Sequence, residues 1–242
     1  NRIMLSNILQ KKMSVDETIM NPYSWYEENN ISLITGERAT RVNREQKLVE
    51  TESGQEIPYD ICIFATGSNA FVLPIPGHEL PSVIGWRTIE DTERMIEIAQ
   101  TKKEAIVIGG GLLGLECARG LLDQGMNVTV VHLAEWLMEM QLDRQAGEML
   151  REDLEKQGMR FELGANTKEI LGENDVEGIR LADGRELPAD LVVMAVGIRP
   201  FVQEAKDSGL DVERGIVVDD FMRTSDENIY AVGECAQQKS KN

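Results

Sequence analysis

The chain has 242 residues, 42% of them hydrophobic, and a formal net charge of −17 at pH 7. This length and composition predict a folded globular protein with one large domain or two ordinary ones. The negative charge argues against nucleic acid and anionic membranes as partners, because proteins bind both largely through Lys and Arg side chains that contact phosphates.

The absence of a targeting signal and the small number of cysteines both predict a cytoplasmic protein. No apolar run approaches the length of a membrane span, and Asn1–Met4 lacks the pattern of a secretion signal. Cys62, Cys117 and Cys235 are too few and too widely spaced for a disulfide framework or a zinc site, so we expect no bound metal. We interpret the first two as packed thiols, and for Cys235 both a packed and a redox-active thiol stay open.

The first elements with a clear signal are a short β-meander and a buried strand that end at Gly67. The segment GQEIPYDICIFATG, from Gly54 to Gly67, follows a turn signal and continues into an apolar run typical of a strand buried on both faces. A second copy, GRELPADLVVMAVG, runs from Gly184 to Gly197 at a constant offset of 130 residues. Self-similarity at so long a period predicts two related domains.

Between the two copies, strands and helices alternate. The predicted elements are, in order, a strand at Ala105–Gly109, a helix at Leu112–Gln124, a strand at Asn127–His132, a helix at about 144–157, a strand at 160–163, a meander and a strand at Leu191–Val196. Such alternation is typical of parallel sheets with right-handed crossovers. The predicted fold class is therefore α/β, with two Rossmann-like dinucleotide-binding domains that each carry a small β-meander.

The strand that ends at Gly109 leads into a G-x-G-x-x-G motif formed by Gly109, Gly111 and Gly114. In dinucleotide-binding domains the first glycine permits a tight turn, the second lets the backbone approach a pyrophosphate, and the third allows close helix packing. The alternative is a purely structural glycine turn. At the offset of 130 residues the counterpart of this motif falls ahead of Asn1, so we expect the chain to begin after the start of its first domain.

His132 lies at the end of the second strand, where an acidic residue normally binds the ribose hydroxyls of NAD. A neutral histidine could accept a hydrogen bond from a ribose hydroxyl. The next acidic residue, Glu135, comes three residues later. No Arg immediately follows to bind a 2′-phosphate, which favours NAD over NADP. The alternative is a histidine whose ring is hydrogen-bonded within the protein at the strand end.

Several motifs together resemble one protein family. Besides the repeat, the chain has ATG at Ala65–Gly67, VGIRP at Val196–Pro200 and TSDENIYAVGE at Thr224–Glu234. With these motifs the whole chain resembles the pyridine nucleotide-disulfide oxidoreductases, which are flavoproteins with two dinucleotide-binding domains. The combination of NRIMLS, GERAT, GGGLLGLE, QLD, GIRP and IYAVGECA resembles more narrowly the flavin module at the front of NAD(P)H-dependent assimilatory nitrite reductases.

The resemblance implies an NAD(P)-binding domain that is inserted into a truncated FAD-binding domain. Residues 1–87 would form the first part of the FAD domain without its start. Residues 88–205 would form the NAD(P) domain, and residues 206–242 would be the return segment of the FAD domain.

The resemblance also implies which residues contact each cofactor. On the flavin side these are Arg2, Ala39, Ala65, Thr66, Gly67, Arg87, Gly233 and Glu234, and on the nucleotide side Gly109, Gly111, Leu112, Leu113, Gly114, Glu116, His132 and Gly197. Glu234 departs from the Asp that the family usually has. Arg87 matches an arginine near the FAD phosphates, or else caps the following helix. Glu116 lies close to the nicotinamide, or else is a solvated helix residue.

The activity implied is that of a flavin-dependent NAD(P)H oxidoreductase in which no side chain acts as nucleophile. Electrons would pass from NAD(P)H through FAD to iron-sulfur and sirohaem centres, in downstream domains or a small subunit outside this chain, for the reduction of nitrite to ammonia. Without the first glycine loop we expect FAD binding to be weak or absent. The alternatives are a reductase that serves rubredoxin, ferredoxin or another acceptor, and a non-catalytic NAD(H)-sensing or assembly module. The oligomeric state stays open, with a homodimer among the alternatives.

Overall fold

The computed structural model describes residues 2–239, with the side chains described from Ile3 onward. The chain divides into two compact units. The first unit comprises Asn1–Met20 and Ala70–Gly197, and the second comprises Asn21–Asn69 and Ile198–Asn242. Within the described residues, no helix combines the length and the apolar character that a membrane span requires.

The helices and strands are numbered here in chain order. The helices are α1 (Leu5–Leu9), α2 (Tyr23–Glu28), α3 (Ile89–Thr101), α4 (Leu112–Asp123), α5 (Arg144–Lys156) and α6 (Gln203–Asp207), with 3-10 turns at Arg2–Met4, Asp16–Thr18 and Gly233–Cys235. The strands are β1 (Ala39–Asn43), β2 (Leu48–Thr51), β3 (Glu56–Pro58), β4 (Cys62–Phe64), β5 (Ser68–Ala70), β6 (Val83–Gly85), β7 (Glu104–Ile108), β8 (Asn127–His132), β9 (Arg160–Leu163), β10 (Thr167–Leu171), β11 (Gly178–Leu181), β12 (Glu186–Pro188), β13 (Leu191–Met194), β14 (Ile198–Pro200), β15 (Ile216–Val218), β16 (Ile229–Ala231) and β17 (Ala236–Gln238).

The first unit is built on a parallel sheet of five strands in the order β6-β13-β7-β8-β9. Successive residues of its central strands contribute to two different cores. Ala105 and Val107 of β7 pack with residues of α1, α3 and α4, whereas Ile106 and Ile108 pack with residues of the β10-β11-β12 meander. Because both faces are covered, the apolar run of β7 has no polar alternation, as is usual for parallel sheets. The predicted α/β class with a parallel sheet is confirmed.

Helix α1 belongs to the helical layer of the first unit. The side chain of Leu9 is fully buried, and a Cβ built on Gly120 of α4 would lie 2.5 Å from Leu9 Cγ. The Gln124 side-chain amide donates a hydrogen bond to the carbonyl of Leu9 at 2.7 Å. The missing side chain at Gly120 therefore makes the space into which Leu9 packs.

The second unit consists of the antiparallel meander β1-β2-β3 and three strand pairs. Strand β4 is parallel to β16, β15 is parallel to β17, and β5 pairs with β14. Its core contains Phe64, Ile216, Val218, Ile229 and Ala231. Helix α6 packs beside β1.

The two copies of the sequence repeat have the same local fold. Strands β2, β3 and β5 correspond to β11, β12 and β14 at an offset of 130 residues, and in both copies the meander is followed by a parallel strand. The pairing of β1 with β2 shifts register after Ala39, and the pairing of β10 with β11 shifts after Thr167. Gly67 and Gly197 both have positive φ, at 67° and 115°. The relationship predicted between the two segments is thus present in the structure, but the prediction that the strand of the first copy is buried on both faces is wrong, since Ile63 of β4 is 60% exposed.

The limits of the compact units differ from the predicted limits at residues 87 and 205. Residues 5–9 pack against α3 and α4, and Val72, Leu73 and Ile75 pack against the core beneath β10 and β11. Both segments therefore group with the first unit, and the division 1–87, 88–205 and 206–242 stays a proposal about cofactor domains.

Candidate nucleotide-binding site

The glycine turn between β7 and α4 has the geometry that its spacing predicts. Gly109 has a φ of +121°, which L-residues rarely adopt. A Cβ there would overlap the carbonyl of Ala195, and a Cβ at Gly114 would overlap the carbonyl of Gly109. These two glycines allow the turn and the close approach of helix to strand.

Gly111 has a different environment from its neighbours. Its φ of −83° and ψ of −179° are accessible to any L-residue. A Cβ built there meets no described atom within 4 Å. The backbone at Gly111 therefore faces open space, which is the room that a phosphate group requires.

The start of α4 offers unpaired backbone donors at this open position. Gly111 is the N-cap of the 12-residue helix, and no side-chain cap hydrogen bond is formed. The first intrahelical bond runs from Leu115 N–H to the carbonyl of Gly111. The N–H groups of Leu112, Leu113 and Gly114 have no intrahelical partner, and the helix dipole adds a partial positive charge there. This arrangement suits a phosphate anion.

Gly110 is held by the last residue of β8 on one side and by the loop after β8 on the other. Its N–H donates to His132 Nδ1 at 3.1 Å, and its carbonyl accepts from Met138 N–H at 3.0 Å. Both backbone polar groups of Gly110 are therefore engaged within the protein, whereas the Cβ position of Gly111 faces open space.

His132 has a protein partner at each ring nitrogen. The residue is 7% exposed, its Nδ1 accepts from Gly110, and its Nε2 lies 2.9 Å from Glu139 Oε2. Because Nδ1 accepts a hydrogen bond, the hydrogen of a neutral ring is on Nε2. Nε2 then donates to the Glu139 carboxylate. The geometry favours a histidine satisfied within the protein over direct contact with a ribose hydroxyl.

Gly197 lies at the same edge of the sheet as the glycine turn. Ala195 N–H donates to the carbonyl of Ile108 at 2.8 Å, so the end of β13 lies beside the turn. Gly197 follows with open space at its Cβ position. Glu116, half-buried on α4, comes two residues after Gly114. The carboxyl ends of parallel strands are where α/β folds bind ligands.

Arg87 precedes α3, whose cap is built by other side chains. Thr88 is the N-cap residue, and it forms a capping box with Asp91. Arg87 contributes its backbone N–H, which donates to Asp91 Oδ2 at 2.7 Å. A role for its side chain near FAD phosphates stays a prediction, and the side chain of Arg2 lies outside the described residues.

In the second unit, the ATG turn follows β4 and is tied to Phe201. Thr66 Oγ1 donates to the Phe201 carbonyl at 2.7 Å, and Phe201 N–H donates to the carbonyl of Gly67 at 2.9 Å. Ala39, Ala65 and Thr66 line one concavity of about 650 Å³. Three of the predicted flavin-side residues thus share one surface.

The Gly233-Glu234 pair follows β16, the parallel neighbour of β4. Gly233 has a φ of +78° and open space at its Cβ position. Glu234 Oε2 accepts from Ser68 Oγ at 2.9 Å, so the longer Glu side chain is anchored beside β5. Val232 N–H donates to the Phe64 carbonyl at 2.9 Å, which brings this pair next to the ATG turn.

The cysteines are packed rather than reactive. Cys117 and Cys235 are fully buried, and Cys235 Sγ points at the carbonyls of Val232 and Phe64. Burial raises the pKa of the Cys117 thiol far above its ordinary value, and burial also raises the pKa of Cys62. Among residues 2–239, no group of His, Cys, Asp and Glu side chains could hold a metal ion.

Two carboxylates at these sites were not predicted from the sequence. Glu139 contacts His132, and Glu204 is a buried residue that lines the same concavity as Thr66. Glu204 Oε2 has no hydrogen-bond partner among the described residues, and its Oε1 lies 3.5 Å from Arg38. Neither has a signal in the sequence, because each becomes distinctive only through residues brought near it by folding.

Comparisons with known proteins agree with this geometry. The family model described as pyridine nucleotide-disulphide oxidoreductase matches residues 1–242. A ferredoxin reductase from Rhodopseudomonas palustris has a similar crystal structure, with a TM-score of 0.93 and 33% sequence identity. The superposition covers 99% of this chain and 60% of that chain.

Two proteins of Bacillus subtilis (strain 168) are similar over nearly the whole chain. The nitrite reductase [NAD(P)H] is 52% identical over 239 residues, which are 99% of this chain and 30% of that protein. The assimilatory nitrate reductase electron transfer subunit is 45% identical over 237 residues, which are 98% of this chain and 31% of that protein. The chain thus spans about a third of the length of these relatives. The resemblance inferred from the motifs is confirmed.

Proposed function

The chain belongs to the pyridine nucleotide-disulphide oxidoreductase family, and we propose that it is the NAD(P)H- and FAD-binding module of a larger NAD(P)H-dependent nitrite reductase. The open position of Gly111 at the uncapped start of α4 is the observation that carries the nucleotide-binding part of this proposal. The 52% identity to a nitrite reductase supports the choice of final acceptor.

The first unit binds the pyrophosphate of NAD(P)H. The N–H groups of Leu112, Leu113 and Gly114 donate to the phosphate oxygens, and each charge-assisted hydrogen bond contributes about 1.5 to 3 kcal/mol. Gly111 provides the space, while Gly109 and Gly114 hold the turn in its shape. Gly197, at the same sheet edge, gives the nucleotide a second backbone contact.

The residues of the second unit fit a flavin. Gly233 has the positive φ and the open Cβ position that a close approach to a ligand needs, and the ATG turn lies next to it. The flavin would contact the backbone of Ala65–Gly67 and of Gly233. Glu234, which is hydrogen-bonded to Ser68, would accept hydrogen bonds from the ribityl hydroxyls. A bound flavin supplies hydride acceptance from nicotinamide and the release of single electrons, and the protein supplies orientation.

Electrons leave this chain for redox centres outside it. We place iron-sulfur and sirohaem centres in the remaining part of the larger protein or in a partner subunit, since the chain spans about a third of its two Bacillus relatives. A reductase for a ferredoxin or rubredoxin is the second candidate, favoured by the TM-score of 0.93 to a ferredoxin reductase.

Measurements of nucleotide binding and of turnover test the two parts of the proposal separately. We expect NADH fluorescence to change when the 242-residue chain is titrated in, and NADH-dependent reduction of ferricyanide to appear once FAD is added. Binding without turnover would favour a non-catalytic NAD(H)-sensing module, and absence of binding would overturn the proposal. In the larger protein, NADH-dependent consumption of nitrite rather than reduction of rubredoxin or ferredoxin is expected.

A further inference from the structure

The strand-end position that usually carries the ribose-binding acid is occupied here by His132, and a carboxylate reaches it from elsewhere. His132 bridges the glycine turn and Glu139, with 3.1 Å from Gly110 N to Nδ1 and 2.9 Å from Nε2 to Glu139 Oε2. The ring therefore connects the phosphate-binding turn to a carboxylate seven residues further along the chain.

The loop that carries Glu139 is fixed against the same turn. Met138, in a left-handed conformation with a φ of +56°, donates its N–H to the carbonyl of Gly110. The neighbouring Leu137 is fully buried, with its Cδ2 2.9 Å from the Cβ position of Gly110. The backbone on both sides of Glu139 is thus anchored, since Gln141 N–H also donates to the Met138 carbonyl at 2.8 Å.

One oxygen of the Glu139 carboxylate is available to a ligand. The side chain is 33% exposed, and only its Oε2 takes part in the bond to His132. Exposed apolar side chains follow both members of the pair, with Leu133 70% exposed and Met140 81% exposed. A partly exposed carboxylate with apolar surface next to it in the chain suits a nucleoside, which presents ribose hydroxyls and a base.

We propose that Glu139 supplies the carboxylate that binds the adenine-ribose hydroxyls of NADH, with His132 as the residue that positions it. The inference rests on the proposed nucleotide-binding function and adds the residue that sets cofactor choice. A carboxylate accepts hydrogen bonds from the 2′- and 3′-hydroxyls, and its negative charge disfavours the 2′-phosphate of NADPH.

Glu135 is the competing carboxylate, and its surroundings place it elsewhere. A Cβ built on Gly164, just after β9, would lie 3.0 Å from Glu135 Oε1. Gly164 follows the edge strand of the sheet, one strand further from the glycine turn than β8. Glu135 is exposed and makes no described hydrogen bond to His132, so it provides a matched control for removal of a carboxylate from the same loop.

The test measures NADH and NADPH dissociation constants by fluorescence titration, independently of turnover. We expect Glu139→Gln to weaken NADH about tenfold and to leave NADPH unchanged or tighter, because a charged hydrogen bond is lost only with NADH. Glu135→Gln should leave both constants within about twofold of the wild type. Gln can still accept from His132 Nε2, so the variant keeps the loop contact.

A double-mutant cycle tests the positioning role of His132. We expect His132→Asn to lower the preference for NADH in the wild-type background and to have little effect on it in the Glu139→Gln background. An unchanged NADH-to-NADPH ratio in Glu139→Gln, together with normal NADH binding, would refute the inference and leave the proposed function standing. Equal effects of His132→Asn in both backgrounds would refute the positioning role. Failure of the wild type to bind either nucleotide would overturn both.

Discussion

A negative charge at Gly111 is the perturbation that most directly examines the nucleotide site. Gly111→Asp places a carboxylate where the structure has open space, at backbone angles that any L-residue adopts. Asp is a better N-cap than Gly by a few tenths of a kcal/mol, so the free energy of unfolding should hold steady or rise slightly. We therefore expect NADH affinity to fall without any loss of folding stability.

The expected size of the binding loss follows from Coulomb's law. Two unit charges about 4 Å apart repel by about 4 kcal/mol at an effective dielectric constant of about 20, and salt reduces this value. The capping carboxylate also competes for the N–H groups of α4 that would otherwise face the phosphates. We expect NADH affinity to fall roughly 10- to 100-fold, which corresponds to about 1.4 to 2.7 kcal/mol.

The assay is NADH fluorescence titration at low and high ionic strength, together with urea unfolding. Gly111→Asn is the matched control, because it has nearly the same volume and capping ability without the charge. The Asp variant should lose more affinity than the Asn variant, and the difference should shrink in salt. If Gly111→Asp were as stable as the wild type and bound NADH equally well, the phosphate site would have to lie elsewhere.

Two further predictions concern packing and pH dependence. Gly120→Ala should lower the melting temperature, since its Cβ would lie 2.5 Å from Leu9 Cγ. The double variant with Leu9→Ala should lose less free energy of unfolding than the sum of the losses in the two single variants. The hydrogen bond from Arg44 lowers the pKa of Asp226, so the stability from this pair is present above the unfolded pKa of about 3.9 and is lost as pH falls through the folded pKa. Asp226→Asn should therefore cost about 1 kcal/mol in urea unfolding at pH 7 and almost nothing in strong acid.

The elements with strong local signals could be predicted from the sequence. The strands β8 and β9 lie at the predicted residues, and the glycine spacing correctly predicted which positions are crowded and which is open. The strand predicted to reach Val196 ends at Met194, because its neighbour β7 ends opposite that residue, at Ile108. Strand length was thus limited by a partner distant in sequence.

Features that depend on tertiary contacts could not be predicted. Helix α1 is only five residues long and has no propensity signal of its own, and it is stabilised by packing of Leu9 over Gly120. The bond between His132 and Glu139 depends on a left-handed Met138, which is a conformation that methionine rarely adopts without tertiary support. The sequence therefore indicated that His132 departs from the usual acid, and folding was needed to identify the carboxylate beside it.

The double attachment of Gly110 has a consequence for how a nucleotide enters. Because the amide and the carbonyl of Gly110 are both hydrogen-bonded, the glycine turn is tied to the end of β8 and to the loop that follows it. Binding to backbone donors that are already held in place loses little chain entropy, because the protein does not have to order a segment first. Association should then be governed by diffusion and charge, with only a small part of the binding heat arising from reorganisation of the protein.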